Sequence, residues 1–121
     1  MKVDAPPAVA GWRLLLVALI AGTCWLAFSP APPQEIDTGW DKANHWLAFS
    51  TMAVTAGLAF PHARRRSAGV ALGLLALGIF IELVQSQIPA RSAEVLDVVA
   101  DSIGIAAGLL LMKAWRQLRP G

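Results

Sequence analysis

The chain alternates long apolar runs with short polar breaks, and the runs have the length of a bilayer crossing. A helix rising about 1.5 Å per residue needs about 20 mostly apolar residues to span the hydrocarbon core. Four such runs are present, at about 12–28, 43–60, 67–88 and 95–115. Between the first two lie Pro30, Pro32 and Pro33, then Glu35 and Asp37, which predict an extended, hydrated loop. The second run stops at Pro61 before a basic turn containing Arg64, Arg65 and Arg66, and the third stops at Pro89. A soluble bundle would need a polar face on each helix, and 72–81 offers none. The expectation is one domain over residues 1–121: an all-α membrane protein with four transmembrane helices.

The first run competes with a signal peptide, because Lys2 precedes it. It continues through Trp25 to Phe28 without a clean cleavage site; the small-residue pattern ending at Ser29 is followed at once by Pro30. The box before Cys24 carries Thr23 and is a poor lipoprotein site, so the segment is read as a retained helix. Lysine and arginine placement gives the orientation. Lys2, Arg13, Arg64, Arg65, Arg66, Lys113, Arg116 and Arg119 gather on one side, against Lys42 and Arg91 on the other. Both termini are therefore expected to be cytoplasmic. The five tryptophans agree, each lying near a span end.

Composition supports the membrane reading. Hydrophobic residues make up 56% and charged residues 15%, and the mean hydropathy is +0.57. A net charge of +2 gives no argument for nucleic acid, since the basic residues sit in short loops and tails. Cys24 is the only cysteine, so no internal disulfide can form.

Against this background the polar residues within the spans stand out, because a charge at membrane depth costs about 2.5–3.5 kcal/mol on insertion scales. His45, Glu82, Asp97 and Asp101 lie on three different runs, and alternating crossings bring them to one interface. Asp41 and His45 share a helix face, with Lys42 beside them. Gly78, Glu82 and Gln85 share another face, and Asp97, Asp101, Gly104 and Gly108 a third. Packing these last two faces together would let glycines bring the backbones close and the carboxylates meet. Gly69 and Gly73 point the other way, toward another helix or a second copy.

Three readings of the constellation stay open. The polar groups can be a staple that fixes helix register. They can be catalytic, with Asp41 orienting His45 as a general base, Glu82 or Asp101 holding a proton as acid, and Arg91 clamping a phosphate or carboxylate. They can also hold a divalent cation, although no tight ligand motif is present and no cofactor is required by the sequence.

The segments Asp41-Lys42-Ala43-Asn44-His45, Glu82-Leu83-Val84-Gln85, Arg91, and Asp97 through Gly104 resemble the VanZ-like family of small bacterial membrane proteins. The resemblance extends over about 41–108, with Asp101 standing where many relatives carry Asn. It implies a multi-pass protein of the bacterial cytoplasmic membrane, related to a member associated with resistance to the glycopeptide teicoplanin. It also implies a cell-envelope role on a lipid headgroup or a lipid-linked, peptidoglycan-related molecule. The corresponding site would place Asp41, His45, Glu82, Asp97 and Asp101 in catalysis, and Lys42, Gln85 and Arg91 in substrate binding. A non-enzymatic binding or structural protein is the alternative. The bilayer is the expected partner, and the oligomeric state is not legible.

Overall fold

The computed structural model describes residues 7–29, 41–61, 65–89 and 93–118, without the side chains of Pro7 and Asp41. They form four helices: α1 (Pro7–Phe28), α2 (Asp41–Ala59), α3 (Arg66–Gln85) and α4 (Val95–Leu118). α1 opens at Pro7, five residues before the apolar run, where proline's missing N–H costs nothing. No strand occurs among the described residues.

Contacts at the helix ends show that α1 runs antiparallel to α2, that α4 runs parallel to α2, and that α3 runs parallel to α1. Near the start of α1, Arg13 Nε donates to the Ala59 carbonyl at 2.9 Å, and its guanidinium lies over the Phe60 ring at 4.9 Å. Arg116, near the end of α4, donates to the Gly57 carbonyl at 3.1 Å. At the opposite end, Gln85 Nε2 donates to the Ala27 carbonyl at 2.9 Å, tying the ends of α1 and α3 together. These arginines meet a specific need. The last carbonyls of a helix lack intrahelical partners, and the residue four beyond Gly57 is Pro61, which has no N–H to offer.

Three helices are long and apolar enough to cross a membrane: α1, α3 and α4. The expectation of four such helices is met in these three, and α2 falls short. The reason is compositional: Asp41, Lys42, Asn44 and His45 fill its first turns, and Ser50, Thr51 and Thr55 its middle. Thr51 and Thr55 return their hydroxyls to carbonyls of their own helix, those of Leu47 at 2.7 Å and Thr51 at 2.8 Å. α2 also needs less outward apolar surface, because it packs against all three other helices. Its Phe49, Met52, Ala53 and Ala56 build the core with Val70, Leu74 and Ile81 of α3 and Ile105 of α4.

The outer surface is of the opposite kind. Leu14, Leu72, Leu83 and Leu110 are each between 64% and 72% exposed, on three different helices. Apolar exposure on this scale around a bundle fits contact with lipid tails rather than water.

The contact between α2 and α4 is the most extensive in the molecule. It is made backbone to backbone at two glycines one turn apart on α4. A Cβ on Gly104 would stand 2.6 Å from the Trp46 carbonyl oxygen, and one on Gly108 would stand 2.6 Å from that of Ser50. Gly104 and Gly108 thus face α2, not α3 as expected from the simplest face-to-face packing. Gly78 of α3 does meet α4, against the Asp101 carboxylate. Gly69 and Gly73 have no neighbour where a Cβ would lie, and they line an open apolar groove between α1 and α3.

Gly104→Ala places a methyl against backbone that cannot rotate away. It is expected to cost about 1–3 kcal/mol, read as a lower melting temperature in detergent, whereas Gly73→Ala, with open space around it, leaves the melting temperature nearly unchanged.

Candidate functional site

At the end of the bundle away from Arg13 and Arg116, the start of α2, the end of α3 and the start of α4 converge. Asp97 and Asp101 are one turn apart on α4 and present their carboxylates on the same face. Their side chains are 1% and 0% exposed. Two carboxylates this deeply removed from water require charged or hydrogen-bonding partners, and α2 supplies both.

Lys42 Nζ stands 2.7 Å from Asp97 Oδ1 and 3.0 Å from Glu94 Oε2. Both contacts are charge-assisted, and they tie the start of α2 to the start of α4. One turn along α2, His45 Nδ1 lies 2.7 Å from Asp101 Oδ1. An ionised Asp101 accepts here from an Nδ1–H, and a protonated one donates to a bare Nδ1. The other ring nitrogen, Nε2, faces Asp97 Oδ2 at 3.6 Å. Asp101 is packed on its far side against the bare backbone of Gly78, where a Cβ would come within 2.6 Å of Oδ2.

α3 contributes Glu82, which is 8% exposed. Its Oε2 accepts the Glu94 backbone N–H at 2.9 Å, anchoring the entry to α4. Its Oε1 is buried and has no hydrogen-bond partner among the described residues. Ligand atoms of His45, Glu82 and Asp97 all lie within 4.8 Å of one another, on three different helices.

The structure thus brings together five of the eight residues singled out in the sequence: Lys42, His45, Glu82, Asp97 and Asp101. Gln85 is buried on α3 but turns to the Ala27 carbonyl of α1, where it ties helices together. Arg91 and the side chain of Asp41 lie outside the described residues. Asp101, from across the bundle, lies on His45 Nδ1; the Asp41 side chain expected to orient the ring is outside the described residues. Glu94 was not anticipated. The signal for it is modest: an acidic residue immediately before the first residue of a helix, with its carbonyl accepting the Asp97 N–H at 3.0 Å. An apolar groove lined by Ala43, Trp46, Leu96, Val99 and Ile103 opens beside Lys42, with a volume of about 480 Å³.

Fold and site together define a class: a small all-α protein with membrane-type helices and a buried histidine–carboxylate cluster at one end of the bundle. The chain belongs to the VanZ-like family, whose model, described as VanZ/LLP1, matches residues 14–116. It is also similar to an uncharacterized protein of Schizosaccharomyces pombe, with 31% identity over 101 residues. That match takes in 80% of this chain and 59% of the yeast protein, so the chain spans about three-fifths of that relative's length. Similarity to a fission-yeast protein means that family membership alone does not define a bacterial source. No solved structure matches the chain.

The two carboxylates around Lys42 differ in burial, Asp97 at 1% exposed and Glu94 at 49%. Lys42→Met removes the ammonium 2.7 Å from the buried Asp97 carboxylate and is expected to lower the melting temperature in detergent by many degrees. Glu94→Gln removes an exposed partner and is expected to stay within about 0.5 kcal/mol of the parent.

Proposed function

We propose that this chain is a four-span membrane protein whose polar cluster acts on the headgroup of a lipid or lipid-linked molecule at the membrane surface. The observation that carries this reading is the His45–Asp101 pair: Nδ1 is pinned at 2.7 Å by a fully buried carboxylate, which aims Nε2 toward Asp97. In this reading Nε2 is the working atom and Asp101 is a positioning residue. The apolar groove beside Lys42 supports it, since an acyl chain lying there brings its headgroup to the ammonium. Arg91, in the link between α3 and α4, completes the anion-binding part of the proposal.

The topology proposed has both termini in the cytoplasm, with α2 as the fourth span and the cluster at the opposite face. The support is the basic end of the bundle, where Arg13, Arg65, Arg66 and Arg116 sit together on one side. In the bacterial cytoplasmic membrane, the setting implied by the resemblance, that face is the outer leaflet and the substrate an envelope lipid or peptidoglycan precursor. A glycopeptide-resistance role belongs to the same proposal. A second reading is a non-enzymatic protein in which the cluster staples the helices. It is favoured by the run of contacts from Lys42 through Asp97 and Glu94 to Glu82, which joins α2, α4 and α3.

Substitution separates the two readings. Asp101→Asn and His45→Gln are expected to retain a cooperative melt in detergent while failing to complement a deletion strain scored for membrane-lipid composition and glycopeptide sensitivity. Full complementation by both folded variants would sink the headgroup reading, and loss of folded yield in both would favour the staple. For topology, Gly121→Cys in a Cys24→Ala background is expected to react with a membrane-impermeant maleimide only after permeabilisation. Gln87→Cys is expected to react without it.

A further inference from the structure

The geometry points to a divalent-cation site formed by His45 of α2, Glu82 of α3 and Asp97 of α4, with its open coordination positions taking a phosphate oxygen of the headgroup. The phosphate part rests on the headgroup reading above; the cation part stands without it.

Three observations meet at this point. The first is distance. His45 Nε2 and Asp97 Oδ2 are 3.6 Å apart, too long for a hydrogen bond. Two ligands held about 2.1 Å from one ion at a tetrahedral angle are about 3.4 Å apart, so the pair is spaced for a shared cation. One ligand atom each of His45, Glu82 and Asp97 lies within 4.8 Å of the other two, so α3 brings a third donor beside the pair.

The second is the state of each donor. Asp101 Oδ1 lies 2.7 Å from Nδ1, so it is the Nε2 edge of the ring that faces Asp97 at 3.6 Å. A carboxylate behind a ligating imidazole is the arrangement that fixes the tautomer and strengthens the nitrogen as a donor. Glu82 is 8% exposed, and its Oε1 is buried with no hydrogen-bond partner among the described residues. An acceptor left so is costly unless a cation or a water satisfies it.

The third is the chemistry of the donor set. One imidazole with two carboxylates and no thiolate selects a borderline or hard ion, Mn²⁺ or Zn²⁺, rather than a soft one. Three protein ligands leave positions open, as in sites where a metal meets a substrate oxygen.

The test uses the full chain purified without a histidine tag in dodecyl maltoside, stripped with a chelator and titrated with Mn²⁺ while free ion is followed by electron paramagnetic resonance. One ion per chain is expected, with a matching rise in melting temperature. Glu82→Gln keeps the acceptor for the Glu94 N–H and is expected to weaken binding by at least about tenfold. Ser102→Ala, exposed and bonded only to its own helix, leaves it unchanged. Folded parent protein that binds no Mn²⁺ or Zn²⁺, or Glu82→Gln that binds as tightly as the parent, overturns the site. Glycerol phosphate then serves as the headgroup probe, its ³¹P relaxation being read with Mn²⁺ bound. Enhanced relaxation supports the phosphate contact. None, with the ion demonstrably bound, overturns that contact and counts against the headgroup reading while the cation site stands.

Discussion

Burial of two carboxylates on one turn of α4 is the constraint from which the rest of the arrangement follows. Asp97 and Asp101 are shut off from water almost completely, and a charge so placed is retained only where partners compensate its desolvation. Lys42 and His45 provide that compensation from α2, and they reach it only because α2 starts at the same level of the bundle as α4. The polarity that makes α2 a poor spanning helix by composition is the same polarity that α4 demands. Neither helix is comfortable in lipid alone; together they hide each other's charges.

The close approach of these two helices is set elsewhere along their length. Gly104 and Gly108 bring the α4 backbone against that of α2 around Trp46 and Ser50. This fixes the separation at which His45 and Asp101, on the adjoining turns, meet at 2.7 Å. Gly78 does the corresponding service from α3, leaving room for the Asp101 carboxylate at the helix surface. The small residues therefore set the geometry of the polar cluster by setting the distances between helices.

Much of this was legible in the sequence. Helix number and approximate limits follow from apolar runs cut by Pro61 and Pro89, and the gathering of His45, Glu82, Asp97 and Asp101 follows from alternating crossings of similar length. What periodicity could not supply was pairing. It places Gly104 on the face of Asp101, but the choice between α2 and α3 as its neighbour depends on three-dimensional packing, and α2 took it. Gln85 shares a face with Glu82 yet reaches α1, because a long amide side chain near a helix end can turn to whichever carbonyl is open. Glu94 was hidden for another reason: it lies outside any apolar run, where an acidic residue attracts no notice.

The end of α2 has a consequence for how the molecule is made. Its Gly57 and Ala59 carbonyls are fastened by Arg116 and Arg13, side chains from helices on either side of it in the chain. Its first turns are neutralised by residues of α4. α2 emerges from the ribosome long before α4 does. Until α4 arrives, the Gly57 carbonyl lacks Arg116 and Lys42 lacks Asp97 and Glu94, and α2 is the least apolar of the four helices. The Lys42–Asp97, His45–Asp101 and Arg116–Gly57 contacts therefore form only once α4 has been made.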